Sequence, residues 1–177
     1  LYVFASTMDG EIWKVNAISG EKVWVFEKGP KFEFEQGVAA GYFLNKSTHD
    51  IVAIGLKGVW PRYQQSQMLV IDGSTGELIS SQVVDYCYMR SPPLIGDIDN
   101  NDKDDIILLT CSDQMGHLKI FNHTLDEVKR ITLKSPIDAP AVLQDIDNNH
   151  KLDLTIINYH VLNRYEFNQE LPTSNMQ

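Results

Sequence analysis

The chain has 177 residues, of which 43% are hydrophobic, and a formal net charge of −9. That length fits one domain or a segment of a larger one, and that apolar content supports a packed core and excludes a disordered chain. The negative charge disfavours nucleic acid and anionic membrane as partners. Runs of four to eight residues rich in Val, Ile, Leu and aromatics, divided by turn signals, predict strands. They fall near 1–6, 11–17, 21–27, 36–43, 50–57, 66–72, 77–84, 91–97, 105–112, 116–122, 127–133, 138–145, 153–160 and 163–168. No segment carries helical periodicity, and no apolar run approaches the ~18 residues needed to span a bilayer. Direct membrane insertion of this segment is therefore not expected. The N-terminal Leu1-Tyr-Val-Phe-Ala-Ser-Thr lacks the basic start of a signal peptide, which leaves secretion open if the chain begins in mid-architecture.

Two sequence elements recur. The first is Asp97-Ile-Asp-Asn-Asn-Asp-Lys-Asp-Asp105, matched 48 residues later by Asp145-Ile-Asp-Asn-Asn-His-Lys-Leu-Asp153. An apolar strand follows each copy. A third, eroded copy runs from Gly41 to Asp50; it keeps the last aspartate but has Tyr42 and Leu44 in place of the first two. The second element is a hairpin: Glu11 to Trp24, Met68 to Ile79 and His117 to Val128 share one plan. Each is a short strand, a polar turn and a second strand opening with Glu. Gly20 and Gly76 suit the left-handed residue of such a turn, with Asp126 expected as the substitute in the third. Asn16, Asp72 and Asn122 stand at the turn entry, where their side chains reach backbone amides.

Four short strands per repeat of 45–55 residues is the arithmetic of a β-propeller blade. The expected fold is all-β: a partial propeller of about four blades of four-stranded antiparallel sheet, forming an incomplete ring. The alternative is a β-sandwich with accidental similarity. The blades are expected at about 1–30, 31–85, 86–134 and 135–177, the first lacking its opening strand and the last its closing one. The remaining blades, or a second chain, would then close the ring.

With Asp97 as position 1, Asp99, Asn101, the Lys103 carbonyl and Asp105 fall at 3, 5, 7 and 9. The second copy offers Asp145, Asp147, Asn149, the Lys151 carbonyl and Asp153. Alternate positions of a tight turn point to one side, so these oxygens can converge on one ion. Calcium takes six to eight oxygens in flexible geometry, whereas magnesium demands a stricter octahedron, so Ca2+ is the expected cofactor. Zinc would want the imidazole or thiolate ligands that these loops lack. An EF-hand is rejected: position 12 is Leu108 or Ile156, inside an apolar strand, where that motif needs Glu. Position 6, usually Gly, is Asp102 or His150, both residue types that tolerate a left-handed backbone. Asp97, Asp99, Asp102, Asp104 and Asp105 crowd one turn, and their repulsion calls for screening or a cation. The Asp50 copy is expected to bind nothing. The alternative for either complete loop is a hydrated acidic turn without metal. Affinity of the kind found in extracellular modules would be on the order of 10⁻⁴–10⁻³ M.

The two aspartate loops with their flanking strands resemble the FG-GAP/VCBS repeats of integrin-α-like propellers. The Asp72-Gly-Ser-Thr-Gly-Glu77 hairpin resembles the PQQ-like repeats of eight-bladed propellers. The first resemblance implies structural calcium turns joining the first two strands of a blade, held by Asp97, Asp99, Asn101, Lys103 and Asp105, and by Asp145, Asp147, Asn149, Lys151 and Asp153. Position 6 departs from the family pattern, and the Phe-Gly and Gly-Ala-Pro signatures are not present as such.

On the opposite loop face, residues 57–67 read as a long loop. Its Trp60, Arg62 and Tyr63 are residue types enriched at binding hot spots, although Trp60 and Tyr63 can equally fold back on the blade. Tyr86, Tyr88, Met89 and Arg90 would extend that patch. Among the five histidines there is no H-E-x-x-H, and no serine lies in G-x-S-x-G. The leading expectation is a non-catalytic adhesion, receptor or scaffold segment of an extracellular, cell-surface, lumenal or periplasmic protein, taking a protein or glycan ligand. The alternative is part of a propeller enzyme such as a quinoprotein or polysaccharide lyase. Asn45-Lys-Ser and Asn122-His-Thr fit the glycosylation pattern of a glycoprotein. Cys87 and Cys111 are either two buried thiols or one bridge.

Overall fold

The computed structural model describes residues 1–43, 47–59, 62–84, 91–112, 115–133, 135, 137, 139–158 and 161–167. The chain divides into two compact units, Leu1–Tyr86 and Cys87–Gln177. Among the described residues four antiparallel sheets account for the regular structure, and none closes on itself. This is an all-β, partial β-propeller fold. Among the described residues no helix is long and apolar enough to cross a membrane.

The first unit holds two sheets. One is β1 (Tyr2–Ser6), β2 (Glu11–Asn16) and β3 (Lys22–Glu27) in sequential order. The other runs β4 (Phe32–Glu33), β6 (Asp50–Val59), β7 (Arg62–Ile71), β8 (Leu78–Val84), with β5 (Val38–Gly41) also on β6. The strand expected at 36–43 is thus one of two short segments, because ten-residue β6 pairs with β5 at its start and with β4 near its end. The core of this unit gathers Ile12, Phe34, Ile51, Ala53, Leu69 and Ile71, with Phe4, Trp24 and Phe26 against it.

In the second unit, β9 (Leu94–Gly96), β10 (Asp105–Ser112), β11 (Met115–Phe121) and β12 (Glu127–Thr132) form one sheet. β13 (Val142–Gln144), β14 (Asp153–Asn158) and β15 (Val161–Glu166) form the other. Ile106 through Thr110 are all buried, so β10 is covered on both faces, which explains its unbroken apolar run. Ile107, Leu109, Leu118 and Ile120 of one sheet share a core with Leu154 and Ile156 of the other. Each buried aliphatic of this kind contributes about 2 kcal/mol. That core holds both aspartate loops in place, since each loop leads directly into β10 or β14.

The hairpin element is present in three copies. The Asn16 side chain accepts from the Ile18 and Ser19 amides, Asp72 from Ser74 and Thr75, and Asn122 from Thr124 and Asp126. Gly20 (φ 74°) and Gly76 (φ 80°) take the left-handed conformation. The third copy corrects the expectation at Asp126, because the left-handed residue is Leu125 (φ 68°). Its turn closes one residue earlier. Asn122 N donates to the Asp126 carbonyl, whereas Asn16 and Asp72 donate to Glu21 and Glu77.

A second correction concerns residues 57–67. Rather than a long loop, 57–59 and 62–67 belong to β6 and β7, which pair as far as Val59 with Arg62, around a register shift at Lys57/Gly58. Cys111 is disulfide-bonded. Cys87 and Asn45 lie outside the described residues.

Candidate metal loops

The loops that join β9 to β10 and β13 to β14 each present three carboxylates. Asp97, Asp99 and Asp105 offer oxygens that all lie within 4.8 Å of one another, and so do Asp145, Asp147 and Asp153. In both, the first aspartate is half-buried, the second exposed and the third buried at the start of its strand. Among the described residues these are the two such groups. The Asp50 loop is not among them, and there Tyr42 stacks against His49 with ring centroids 4.0 Å apart. Leu44 lies outside the described residues.

Backbone amides fold each loop around its aspartates. In the first, Asn101 N donates to Asp97 Oδ1 (3.0 Å) and Asp99 Oδ1 (3.2 Å), and Asp102 N to Asp97 Oδ2 (2.8 Å). Ile98 N donates to Asp105 Oδ2 (3.2 Å), and Lys103 N to Asn101 Oδ1 (2.9 Å). The second loop repeats each bond. Asn149 N donates to Asp145 Oδ1 (3.1 Å) and Asp147 Oδ1 (3.2 Å), and His150 N to Asp145 Oδ2 (2.9 Å). Ile146 N donates to Asp153 Oδ2 (3.1 Å), and Lys151 N to Asn149 Oδ1 (2.8 Å).

This winding needs left-handed residues at positions 4 and 6: Asn100 (φ 58°) and Asp102 (φ 66°), then Asn148 (φ 59°) and His150 (φ 65°). The position-6 residues were anticipated as tolerant of that backbone. The position-4 asparagines were not, although Asn is enriched in the left-handed region and its presence in both copies was a usable signal.

The loops differ in what neutralises them. Asp105 is 2% exposed, and among the described residues no lysine or arginine forms an ion pair with Asp97, Asp99 or Asp105. Burial pushes the Asp105 carboxyl up to about 7; the charges of Asp99, Asp97 and Asp104 add to this, and the Ile98 amide opposes it. A buried carboxylate among like charges is the environment that a bound cation relieves. The donor set is all oxygen, so the residues present fit a hard divalent ion.

The second loop has a cation of its own. Arg164 Nη2 donates to Asp147 Oδ2 at 2.7 Å and to Asp153 Oδ2 at 3.0 Å, with Glu166 Oε1 3.4 Å away. The Arg164 guanidinium holds the Asp147 carboxyl below the usual carboxylate range. At the first loop the matching oxygen, Asp99 Oδ2, accepts instead from the neutral Asn101 Nδ2 at 3.0 Å. Sequence reading missed Arg164 because it is brought in by strand pairing rather than by the loop motif.

Of the residues expected to meet a partner, Trp60 lies outside the described residues, as do Tyr86, Tyr88, Met89 and Arg90. Arg62 is exposed at the start of β7. Tyr63 is 5% exposed, and its hydroxyl reaches the carboxylates of Glu33 and Glu35. That burial and those two acids push its phenol upward. Tyr63 therefore ties the hairpin to the β4 segment and does not present its ring to a partner.

No family model and no curated protein matches the sequence. Among solved structures, the chain is similar to the C-terminal domain of PilY1 from Pseudomonas aeruginosa, with a TM-score of 0.61 at 14% identity. The match covers 94% of this chain and 38% of that one, so the chain spans well under half of its structural relative. At that identity the likeness is one of fold.

Proposed function

We propose that this chain is a calcium-stabilised propeller segment of a secreted or cell-surface protein, acting as a non-catalytic scaffold for adhesion or protein interaction. The observation that carries the reading is the first loop. Three carboxylates converge there without a cationic partner among the described residues, and one of them is buried. Asp97, Asp99, Asn101, the Lys103 carbonyl and Asp105 would hold the ion, and the bound charge would fix the turn from β9 into β10. Asp145, Asp147, Asn149, the Lys151 carbonyl and Asp153 form the equivalent set, and the doubled loop supports an FG-GAP/VCBS-like origin. The paired carboxylates are better used in holding charge than in acid–base chemistry, because each set converges on one point as ligands to an ion would.

The partner surface we assign to the tip of the β6–β7 hairpin, around Arg62, which lies at the opposite end of β6 from Asp50. A two-stranded arm with an exposed guanidinium at Arg62 suits a protein or glycan ligand. Thermal melts of the chain in EDTA and in millimolar calcium test the metal reading. Calcium is expected to raise the melting temperature of the unmodified protein and of Asp50→Ala, and to lose most of that effect in Asp97→Ala. Equal melting temperatures with and without calcium in the unmodified protein would overturn it.

A further inference from the structure

The two loops share their sequence motif, their left-handed positions, four backbone-to-carboxylate bonds and one backbone bond to an asparagine side chain, yet among the described residues only the second has a guanidinium across its carboxylates. We infer that Arg164 is a built-in counter-cation that stands in for a metal at the second loop, so that an ion binds there only by displacing it. This rests on the calcium reading of the first loop and adds a difference in occupancy between the two.

Three observations converge. Arg164 Nη2 touches one oxygen of Asp147 and one of Asp153, the exposed and the buried members of the trio that a bridging ion would use. Asp153 is 1% exposed, so its charge needs a nearby partner, and the guanidinium supplies one with directed hydrogen bonds. Strand register explains why only one loop has this device. Arg164 pairs with Thr155, two residues beyond Asp153, and the corresponding partner of Ile107, two residues beyond Asp105, is Ile120. Ile120 is fully buried in the apolar core and brings no charge. Arginine is suited to this post because it stays protonated and one terminal nitrogen, Nη2, meets two carboxylates at once.

A calcium ion entering the second loop must break both contacts and return the guanidinium to water, which lowers apparent affinity relative to a vacant loop. Selection between metal and arginine then follows calcium concentration: the first loop fills first, and the second remains closed by its own side chain until calcium is much higher.

Calcium titration by calorimetry on the full chain separates the two readings. In an Asp97→Ala background, which disables the first loop, Arg164→Gln is expected to tighten calcium binding at least tenfold relative to the single variant. Arg164→Lys, which keeps a charge but on a shorter side chain that titrates, is expected to fall between them. In EDTA, Arg164→Gln should lower the melting temperature, and calcium should restore it. Unchanged calcium affinity across all three residues at position 164 would overturn the inference. The calcium reading itself fails separately, if Asp145→Ala, with the first loop and Arg164 intact, binds no calcium at all.

Discussion

Residues 97–105 and 145–153 fold into the same turn, with the same five bonds from backbone amides, and then solve one electrostatic problem in two ways. Each delivers a buried aspartate to the start of a strand with two more carboxylates within reach. At the second, Arg164 answers that charge from the neighbouring strand. At the first, the corresponding place is Ile120, and the carboxylates face one another without a cationic partner among the described residues. A binding motif therefore specifies a geometry of donors, and the surrounding sheet determines whether those donors await an ion or are already neutralised.

The broadest way to break this contrast is to add metal. If affinity lies on the order of 10⁻⁴–10⁻³ M, 10 mM calcium should stabilise the unmodified chain by about 1.4–2.7 kcal/mol, through binding to the folded state alone. Differential scanning fluorimetry would read this as a rise of several degrees. Asp97→Ala should abolish most of it, and Asp145→Ala should keep it.

Replacing the buried aspartates by asparagine sharpens the contrast, because the two substitutions should act with opposite sign in EDTA. Asp105→Asn removes an unpaired buried charge and keeps an oxygen to accept from the Ile98 amide, so it should stabilise by about 1 kcal/mol. Asp153→Asn takes away a partner of Arg164 and should lower the melting temperature. Urea denaturation of the two variants measures both, and a shared sign would remove the distinction between the loops.

The pH dependence of the metal-free chain is a smaller effect. The Asp105 carboxyl is raised from its ordinary range to about 7 by burial and its acidic neighbours. A raised acid binds its proton more tightly in the folded state, so its contribution to stability is full at low pH and lost as pH climbs from about 4 to 7. In EDTA, unmodified protein should lose stability relative to Asp105→Asn across that interval. The smallest expected change is at Asp50→Ala, which should leave calcium binding untouched because Tyr42 stands where the first aspartate would be.

Much of the fold and of the loop chemistry is legible in the sequence. Fourteen expected strands each have a counterpart, because alternating or continuous apolar runs between Gly, Asn and Asp turns express the period of a sheet. The β4 segment was missed because Phe32-Glu33 is too short to carry a pattern, and it exists only as a partner for the far end of β6. The 57–67 stretch looked like a loop because its polar residues hide a ladder that depends on backbone pairing rather than on side-chain burial. The metal loops were legible as donors at alternate positions. Arg164 was not, since a residue eleven positions downstream reaches Asp153 only when β15 folds back on β14. The turn at Leu125 was misplaced by one residue for a similar reason: Asp126 is the better left-handed residue by type, but the hairpin closes on it and assigns the strained position to its neighbour.

Calcium titration calorimetry on the unmodified chain, repeated on Asp97→Ala and on Asp145→Ala, tests the central asymmetry most directly. One dominant site, lost in the first variant and retained in the second, is the expected result. Two sites of equal affinity, one removed by each substitution, or no binding heat in any of the three proteins, would contradict it.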